Sequence, residues 1–557
     1  MTRPEAIAQL TAAGQDYELI PGEVWGRPCR VFKNAPENLR ALFESTRSDE
    51  TFLVYEDERY TFEETWQHAC ALGHALTKLG VGKGDRVAVS MRNYPEWVMS
   101  FNAITSIGAV AVAMNALWSG DEMAYGLNNC GAKVLIADQE RLDRLAEVIS
   151  EVDLQVIAVR GENSQVPSQP WADLIAPFKG QEMPDVEVAP GDPAIIFYTS
   201  GSTGHPKGAV SCHQNVMTAL FSWELEGVIA ATISQLAPEE LPYQAGTLLA
   251  VPLFHVTGCH AVFLMSYRAQ RKMICMYKWD VDLAMELIER EKITTFVAPA
   301  AMTGDLVNAA AGSDRDLSSL AVVGGGGAPR APEQVKKIPG AFGKAMPNTG
   351  WGMTETNAIG AGIGGEDYVE HPGSSGRCSA ALDLRVVNEA GDELPANTPG
   401  ELQVRGSSVI QGYWNRPEAN AESFVDGWFR TGDVAVIDDE GYVYIVDRIK
   451  DLVIRGGENI GCAEVEAGLL EHDNILEASV YAVPDERLGE EVGATIYCNA
   501  PLTEEDIRSF LGERIARFKI PRYYQIAAEP LPRIASGKID KRSLRAEAVQ
   551  ALGLAKA

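Results

Sequence analysis

Ala194-Ile-Ile-Phe-Tyr-Thr-Ser-Gly-Ser-Thr-Gly-His-Pro-Lys-Gly208 is the stretch on which the fold turns. Its first half is apolar, β-branched and aromatic, the composition of a buried strand. Its second half, Thr199 to Gly208, is a loop of hydroxyls, glycines and one lysine. Glycines let backbone N–H groups approach phosphate oxygens closely. Thr199, Ser200, Ser202 and Thr203 add donors, Gly201 and Gly204 leave room, and Lys207 adds charge. A strand that runs straight into such a loop predicts a phosphate-binding site. The loop is not a Walker A motif, because no Gly-Lys-Ser/Thr closes it at the required spacing.

Working outward, Thr61-Phe-Glu-Glu64 is a capping-box pattern ahead of an apolar-periodic helix to about Leu79, with Gly80 able to end it. Strand-like runs follow at Asp85–Met91, Ala109–Met114 and Lys133–Ala137, alternating with helical segments to about residue 345. That alternation predicts an α/β architecture with substantial parallel sheet. Between about 382 and 447 the texture changes to short strands and turns: Leu382–Val387, Glu401–Arg405, Gly441–Val446. After Asp451 a smaller α+β pattern follows, with strands expected at Ile475–Val483 and Glu491–Tyr497. The predicted fold class is therefore α/β, with two parts. A large N-terminal domain (1–449) carries mostly parallel α/β sheets plus a small β-rich part, and a smaller C-terminal α+β domain spans 450–557.

Composition narrows the function. The 557 residues carry 48 Lys+Arg against 77 Asp+Glu, a formal charge of −29. Self-repulsion on that scale argues against a general nucleic-acid or anionic-membrane binder. Nine cysteines without a CxxC pair read as reduced thiols in a cytoplasmic protein. The N-terminus lacks a signal-peptide core, and the most apolar run, Ala103 to Trp118, is too short and polar for a membrane span. Arg508 to Arg545 is locally basic, with ten Lys or Arg and three acids. It reads either as solvated helix ends or as a cationic face for a polyphosphate ligand. Gly324-Gly-Gly-Gly-Ala-Pro329 lacks dinucleotide-fold spacing and opens no apolar-periodic helix, which removes an oxidoreductase reading. Gly360–Gly365 reads as a loop.

Further motifs lie downstream in order: Gly350-Trp-Gly-Met-Thr-Glu355, Phe429-Arg-Thr-Gly-Asp433, Asp447-Arg-Ile-Lys-Asp451, Gly456-Gly-Glu-Asn-Ile460 and Ser536-Gly-Lys538. Together with Thr199–Gly208 they closely resemble the signature motifs of the adenylate-forming superfamily, in its acyl-CoA synthetase branch. The resemblance covers the chain beyond about residue 30. It implies an enzyme that joins ATP and a carboxylic acid to an acyl-adenylate, then passes the acyl group to a thiol, most directly coenzyme A. ATP and coenzyme A are then co-substrates and Mg²⁺ the cofactor. Transfer to the phosphopantetheine of a separate carrier protein, or a non-catalytic nucleotide-binding module, are the alternatives. No nucleic-acid partner is expected, and a homodimer is an open alternative to a monomer.

The resemblance also distributes roles. Trp351 offers a face for adenine, Thr354 a contact to the α-phosphate and Glu355 a Mg²⁺ ligand. Asp433 would accept the ribose hydroxyls, with Arg448 beside it, and Lys538 would contact the acyl carboxylate and α-phosphate. Gly327, Ala328, Pro329 and Gly350 would line the nucleotide pocket. Lys450 would be the hinge of a mobile lid, with Gly456 and Gly457 on the coenzyme A side. His255 stands where amino-acid-activating relatives carry Asp. With the small residues Thr257, Cys259, Ala261, Gly324 and Gly327 it predicts an open apolar pocket for a medium-to-long or bulky acid.

Overall fold

Two large sheets carry the first 380 residues in the computed structural model, which describes residues 1–161, 165–199, 205–235, 241–327, 330, 332–456, 458–534 and 538–553. In the eight-stranded sheet the order is Gly412–Tyr413, Lys207–Cys212, Pro193–Thr199, Val110–Ala113, Arg86–Ser90, Val134–Asp138, Gln155–Val159, Gln169–Pro170. All neighbours are parallel except where Lys207–Cys212 pairs with its two flanking strands. A nine-stranded sheet holds Met346–Trp351, Val322–Gly326, Thr295–Val297, Gly246–Leu249 and Lys272–Cys275 side by side, with antiparallel pairs only toward its edges.

One core joins the two sheets. Val87, Val89, Ile195 and Phe197 of the first pack with Leu248, Ile274 and Phe296 of the second. The helices Phe62–Lys78 and Pro95–Ser106 contribute to the same core. The capping box at Thr61 forms as expected, its hydroxyl accepting from Glu64 N and the Glu64 carboxylate from Thr61 N. Every residue of Pro95–Ser106 except Glu96 is buried. That accounts for the apolar run into Val110–Ala113: a core helix entering a fully buried strand. Among the described residues one helix, His213–Ser234, is long and apolar enough to cross a membrane, and half of its apolar stretch is buried inside the protein.

The small β-rich part is an antiparallel sheet of Leu382–Val387, Gly400–Gly406, Trp428–Ile437, Phe424–Val425 and Val443–Arg448. The last sheet is built on the long hairpin Ile475–Asp485 and Gly489–Cys498, with Tyr523–Ala527 added in parallel. Its apolar clusters, around Val480, Val492 and Leu511 and around Tyr481 and Leu544, contain no buried residue before Val453. This part has its own core, as a separate domain does.

One expectation is corrected. Gly360–Gly365 is not a loop: Ala361–Gly364 is a strand paired antiparallel with Met346–Trp351. Its glycines are weak strand formers, and pairing overrides that preference. Close packing explains the glycines on either side of this pairing: a Cβ on Gly360 would stand 2.4 Å from the Trp351 ring, and one on Gly350 2.8 Å from Ala361 O.

Candidate active site

The strands Pro193–Thr199 and Lys207–Cys212 are antiparallel neighbours, and Thr199 stands opposite Lys207. The ends of the expected phosphate loop are thereby held together. Ser200, Gly201, Ser202, Thr203 and Gly204 lie outside the described residues, as do Ala328, Pro329 and Gly457. A short segment that sequence reasoning passed over braces this hairpin. Gly412–Tyr413 pairs with Ala209 and Val210, and Trp414 N donates to Gly208 O at 2.7 Å. Arg416 donates to the Tyr125 hydroxyl, and the Tyr125 ring stacks on His205. Lys207 Nζ sits 5.1 Å from the centre of the Tyr413 ring, a cation–π distance. The available signal was the aromatic and asparagine content of Tyr413-Trp-Asn415 between two strands.

Tyr413 also connects the loop to the acidic motif. Its hydroxyl donates to Glu355 Oε1 at 2.7 Å. Glu355 lies in the short turn Thr354–Thr356 and is buried. Burial pushes its carboxyl above the usual range, while the Tyr413 hydrogen bond and the charge of Arg448 act in the opposite sense. Immediately beyond, Asn357 and Ala358 both have left-handed backbone, φ +56 and +63, unusual for consecutive non-glycine residues. Asn357 secures that turn. Its Nδ2 donates to Ser408 O at 2.8 Å, and its Oδ1 lies 3.0 Å from His260 Nε2. His260 is buried, which lowers its pKa to about 4, so the imidazole is neutral and carries its proton on Nε2 toward Asn357.

Asp433 and Arg448 face each other on adjacent antiparallel strands. Arg448 Nε lies 2.6 Å from Asp433 Oδ1, and Trp351 Nε1 donates to Oδ2 at 2.8 Å. Burial raises the Asp433 pKa, against the charge of Arg448 and the indole hydrogen bond. Trp351 is mostly buried, 8% exposed, in a cluster with Ile359, Leu402 and Phe429. A Cβ on Gly360 would come within 2.4 Å of its ring, so that glycine seats the indole. What the geometry displays at Trp351 is this hydrogen bond rather than a broad open face.

Lys538 comes from the C-terminal domain to the same place. Its Cε and Nζ stand 3.6 and 3.7 Å from where a Cβ on Gly327 would be. Desolvation around the ammonium, together with Arg448, lowers its pKa, and Asp433 partly offsets this. Burial and the charge of Lys538 lower the His255 pKa to about 4, and its Nε2 is buried without a hydrogen-bond partner among the described residues. Thr354, Glu355, Trp351, Asp433, Arg448, Gly327, His255 and Lys538 thus form one connected region.

The pocket-lining set needs two corrections. Thr257 and Ala261 keep some exposure on the π-helical stretch Thr257–Leu264, but Cys259 is fully buried in the main core. Gly324 does not open space either, because Asn348 fills it: a Cβ there would fall 1.6 Å from Asn348 Oδ1. In the basic stretch 508–545 the ion pairs favour the solvated of its two readings. Arg514 pairs with Glu471, Lys519 with Glu464, Arg522 with Asp485, Arg533 with Glu477 and Lys541 with Glu466, so acids of the same domain neutralise half of its ten basic residues. Lys450 is exposed in the turn between Val443–Arg448 and Val453–Arg455, and Gly456 has φ +60 with its N–H donated to Leu488 O. Among the described residues no cluster of three His, Cys, Asp or Glu side chains suits a metal by itself. A cavity of about 550 Å³ opens in the C-terminal domain beside Gln525, Ile526, Leu544 and Glu547, and no residue of the region above lines it.

This fold and this region define the class: ATP-dependent, AMP-forming acid–thiol ligases. Residues 41–414 match the family model described as AMP-binding enzyme, and residues 464–538 that of the AMP-binding enzyme C-terminal domain. The chain belongs to the AMP-binding enzyme family. It is 34% identical over 490 residues to the long-chain-fatty-acid–CoA ligase FadD13 of Mycobacterium tuberculosis, covering 88% of this chain and 93% of that protein. It is 30% identical over 506 residues to the 4-coumarate–CoA ligase of Vanilla planifolia, covering 88% and 89%. Among solved structures, the anthranilate CoA ligase AuaEII in complex with anthranoyl-AMP superimposes with TM-score 0.83 at 27% identity, covering 93% of this chain and 98% of that one.

Proposed function

We propose that the chain makes an acyl-CoA in two steps at the region around Lys538. A carboxylate oxygen of the acid attacks the α-phosphorus of ATP and pyrophosphate leaves. The sulfur of coenzyme A then attacks the acyl carbon and AMP leaves with the bonding electron pair. The observation that carries this reading is the convergence of Lys538 on Gly327 beside Asp433 and Arg448. A cation there neutralises charge on the α-phosphate and the incoming carboxylate as the transition state forms. Asp433 accepts from the ribose hydroxyls, and Thr354 and the 199–208 loop donate to phosphate oxygens.

Glu355 fits a Mg²⁺ ion: it is one carboxylate linked through Tyr413 to the phosphate loop, and Mg²⁺ takes few protein ligands and fills its shell with phosphates and water. When bound, the ion would neutralise phosphate charge. Tyr413 holds the carboxylate in place for it.

For the acid, we propose an apolar medium-to-long chain or bulky ring. Support comes from the small, partly exposed Thr257 and Ala261 close in sequence to His255, and from a neutral His255 that offers an α-ammonium group no counter-charge. The relatives' names point the same way, toward long-chain fatty acids and 4-coumarate. Residues 1–449 are the proposed nucleotide and acyl domain and 450–557 a lid turning about Lys450; the separate core after Val453 supports this division. Pyrophosphate release over a panel of carboxylic acids, with and without coenzyme A, tests the assignment. Apolar acids should lead and coenzyme A should drive thioester formation. A lead for acetate or a free amino acid would refute the acid class, and release without any thioester would refute the acceptor.

A further inference from the structure

We infer that Trp351 is a positioning residue for the ribose, acting through Asp433. The inference rests on the reading of Asp433 as the acceptor of the ribose hydroxyls. A buried carboxylate binds a diol specifically only if its plane is fixed, and two donors from different elements fix this one. Arg448 Nε engages Oδ1 and Trp351 Nε1 engages Oδ2. Each oxygen keeps a further lone pair for a ribose hydroxyl. The two donors differ in kind. Arg448 has a half-exposed side chain, two residues from the proposed hinge, so lid rotation disturbs it first. Trp351 ends a strand of the nine-stranded sheet, its indole packed among Ile359, Leu402 and Phe429 and seated on Gly360. The indole donor therefore keeps Asp433 oriented whatever the lid does.

A phenylalanine would fill the same core without the N–H. If Trp351 were only core filler, Trp351→Phe would change stability and leave nucleotide selectivity alone. The reading tested here is the ratio of kcat/KM for ATP to that for 2′-deoxy-ATP in pyrophosphate release, measured on the full chain. The ratio is taken within one variant, so it does not depend on the fraction of folded enzyme. Hydrogen bonds to charged groups account for roughly tenfold or more in such differences, so Trp351→Phe should lower the ratio by about tenfold, mostly through KM for ATP. Gly360→Ala, whose Cβ would displace the indole, should lower it in the same direction. Asp433→Ala separates the two layers of the argument. If it collapses the ratio while Trp351→Phe and Gly360→Ala leave it unchanged, the positioning role is wrong and the ribose reading stands. If Asp433→Ala itself leaves the ratio unchanged, the ribose reading fails and takes the inference with it.

Discussion

Removing one oxygen atom, by Tyr413→Phe, should expose how the acidic motif is kept charged. Glu355 is only 6% exposed, and the Tyr413 hydroxyl donates to it at 2.7 Å. The phenylalanine ring still fits beneath Lys207, so the cation–π contact survives, and what is lost is the hydroxyl's hydrogen bonding to Glu355 and Ser423. A hydrogen bond to a buried anion is worth about 1.5–3 kcal/mol, against about 1 kcal/mol for a neutral pair. The sign of the pH dependence follows from linkage. The folded-state pKa of Glu355 is already raised by burial above the ordinary 4.5, so the native state holds its proton longer than the unfolded chain. Its contribution to stability falls as pH rises from about 4.5 through the folded pKa, and the variant, with its pKa raised further, continues falling to higher pH. The cost of Tyr413→Phe should therefore be about 1 kcal/mol near pH 4.5 and about 2 kcal/mol or more at pH 8. Urea unfolding at the two pH values measures it, and pyrophosphate release against Mg²⁺ concentration should show a raised metal requirement. An equal loss at both pH values, with unchanged Mg²⁺ dependence, would refute the reasoning.

Further expectations follow from the same geometry. Gly327→Leu places a side chain at φ +84 and against Lys538, so adenylation should fall for all acids alike in a panel of chain lengths; a penalty that grows with acid size would contradict it. His260 has its folded pKa lowered to about 4 from 6.5, so the unfolded chain takes up a proton that the native state refuses as pH falls through that window. Between pH 7 and pH 4 the parent should lose up to about 3 kcal/mol relative to His260→Gln in denaturation experiments, and parallel curves would refute this. Reversing Arg514 and Lys519 to Glu should lower Tm by breaking pairs with Glu471 and Glu464 and leave KM for ATP within about twofold; a large KM increase would restore the cationic-face reading.

Much of this was legible in the chain because chemistry and geometry coincide in short motifs. The strand ahead of the hydroxyl-glycine-lysine segment, a capping box at Thr61 and a texture change near 382 each depend on local residues, and each appears where expected. The misses share a cause: they depend on what a side chain meets across the fold. Gly324 looks like open space until Asn348 occupies it, and Cys259 looks like pocket lining until the π-helical stretch turns it into the core. Half of the basic residues of 508–545 are paired with acids 37 to 75 positions earlier in the same domain, which a running count of charges does not pair. Tyr413, Asn357 and His260 carry no motif of their own, and only contacts more than 50 residues apart in sequence reveal them.

In the proposed function one site performs two reactions, and on that proposal Lys538 serves the first alone while rotation about Lys450 permits the second. Measuring the half-reactions separately tests it most directly. Lys538→Ala should lose acyl-adenylate formation, read as acid-dependent pyrophosphate release, by about a hundredfold or more, yet still convert supplied acyl-adenylate and coenzyme A to thioester. Lys450→Pro, with φ fixed at the hinge, should keep pyrophosphate release and lose thioester formation. Equal losses in both half-reactions for both variants would contradict the division of labour and the hinge together.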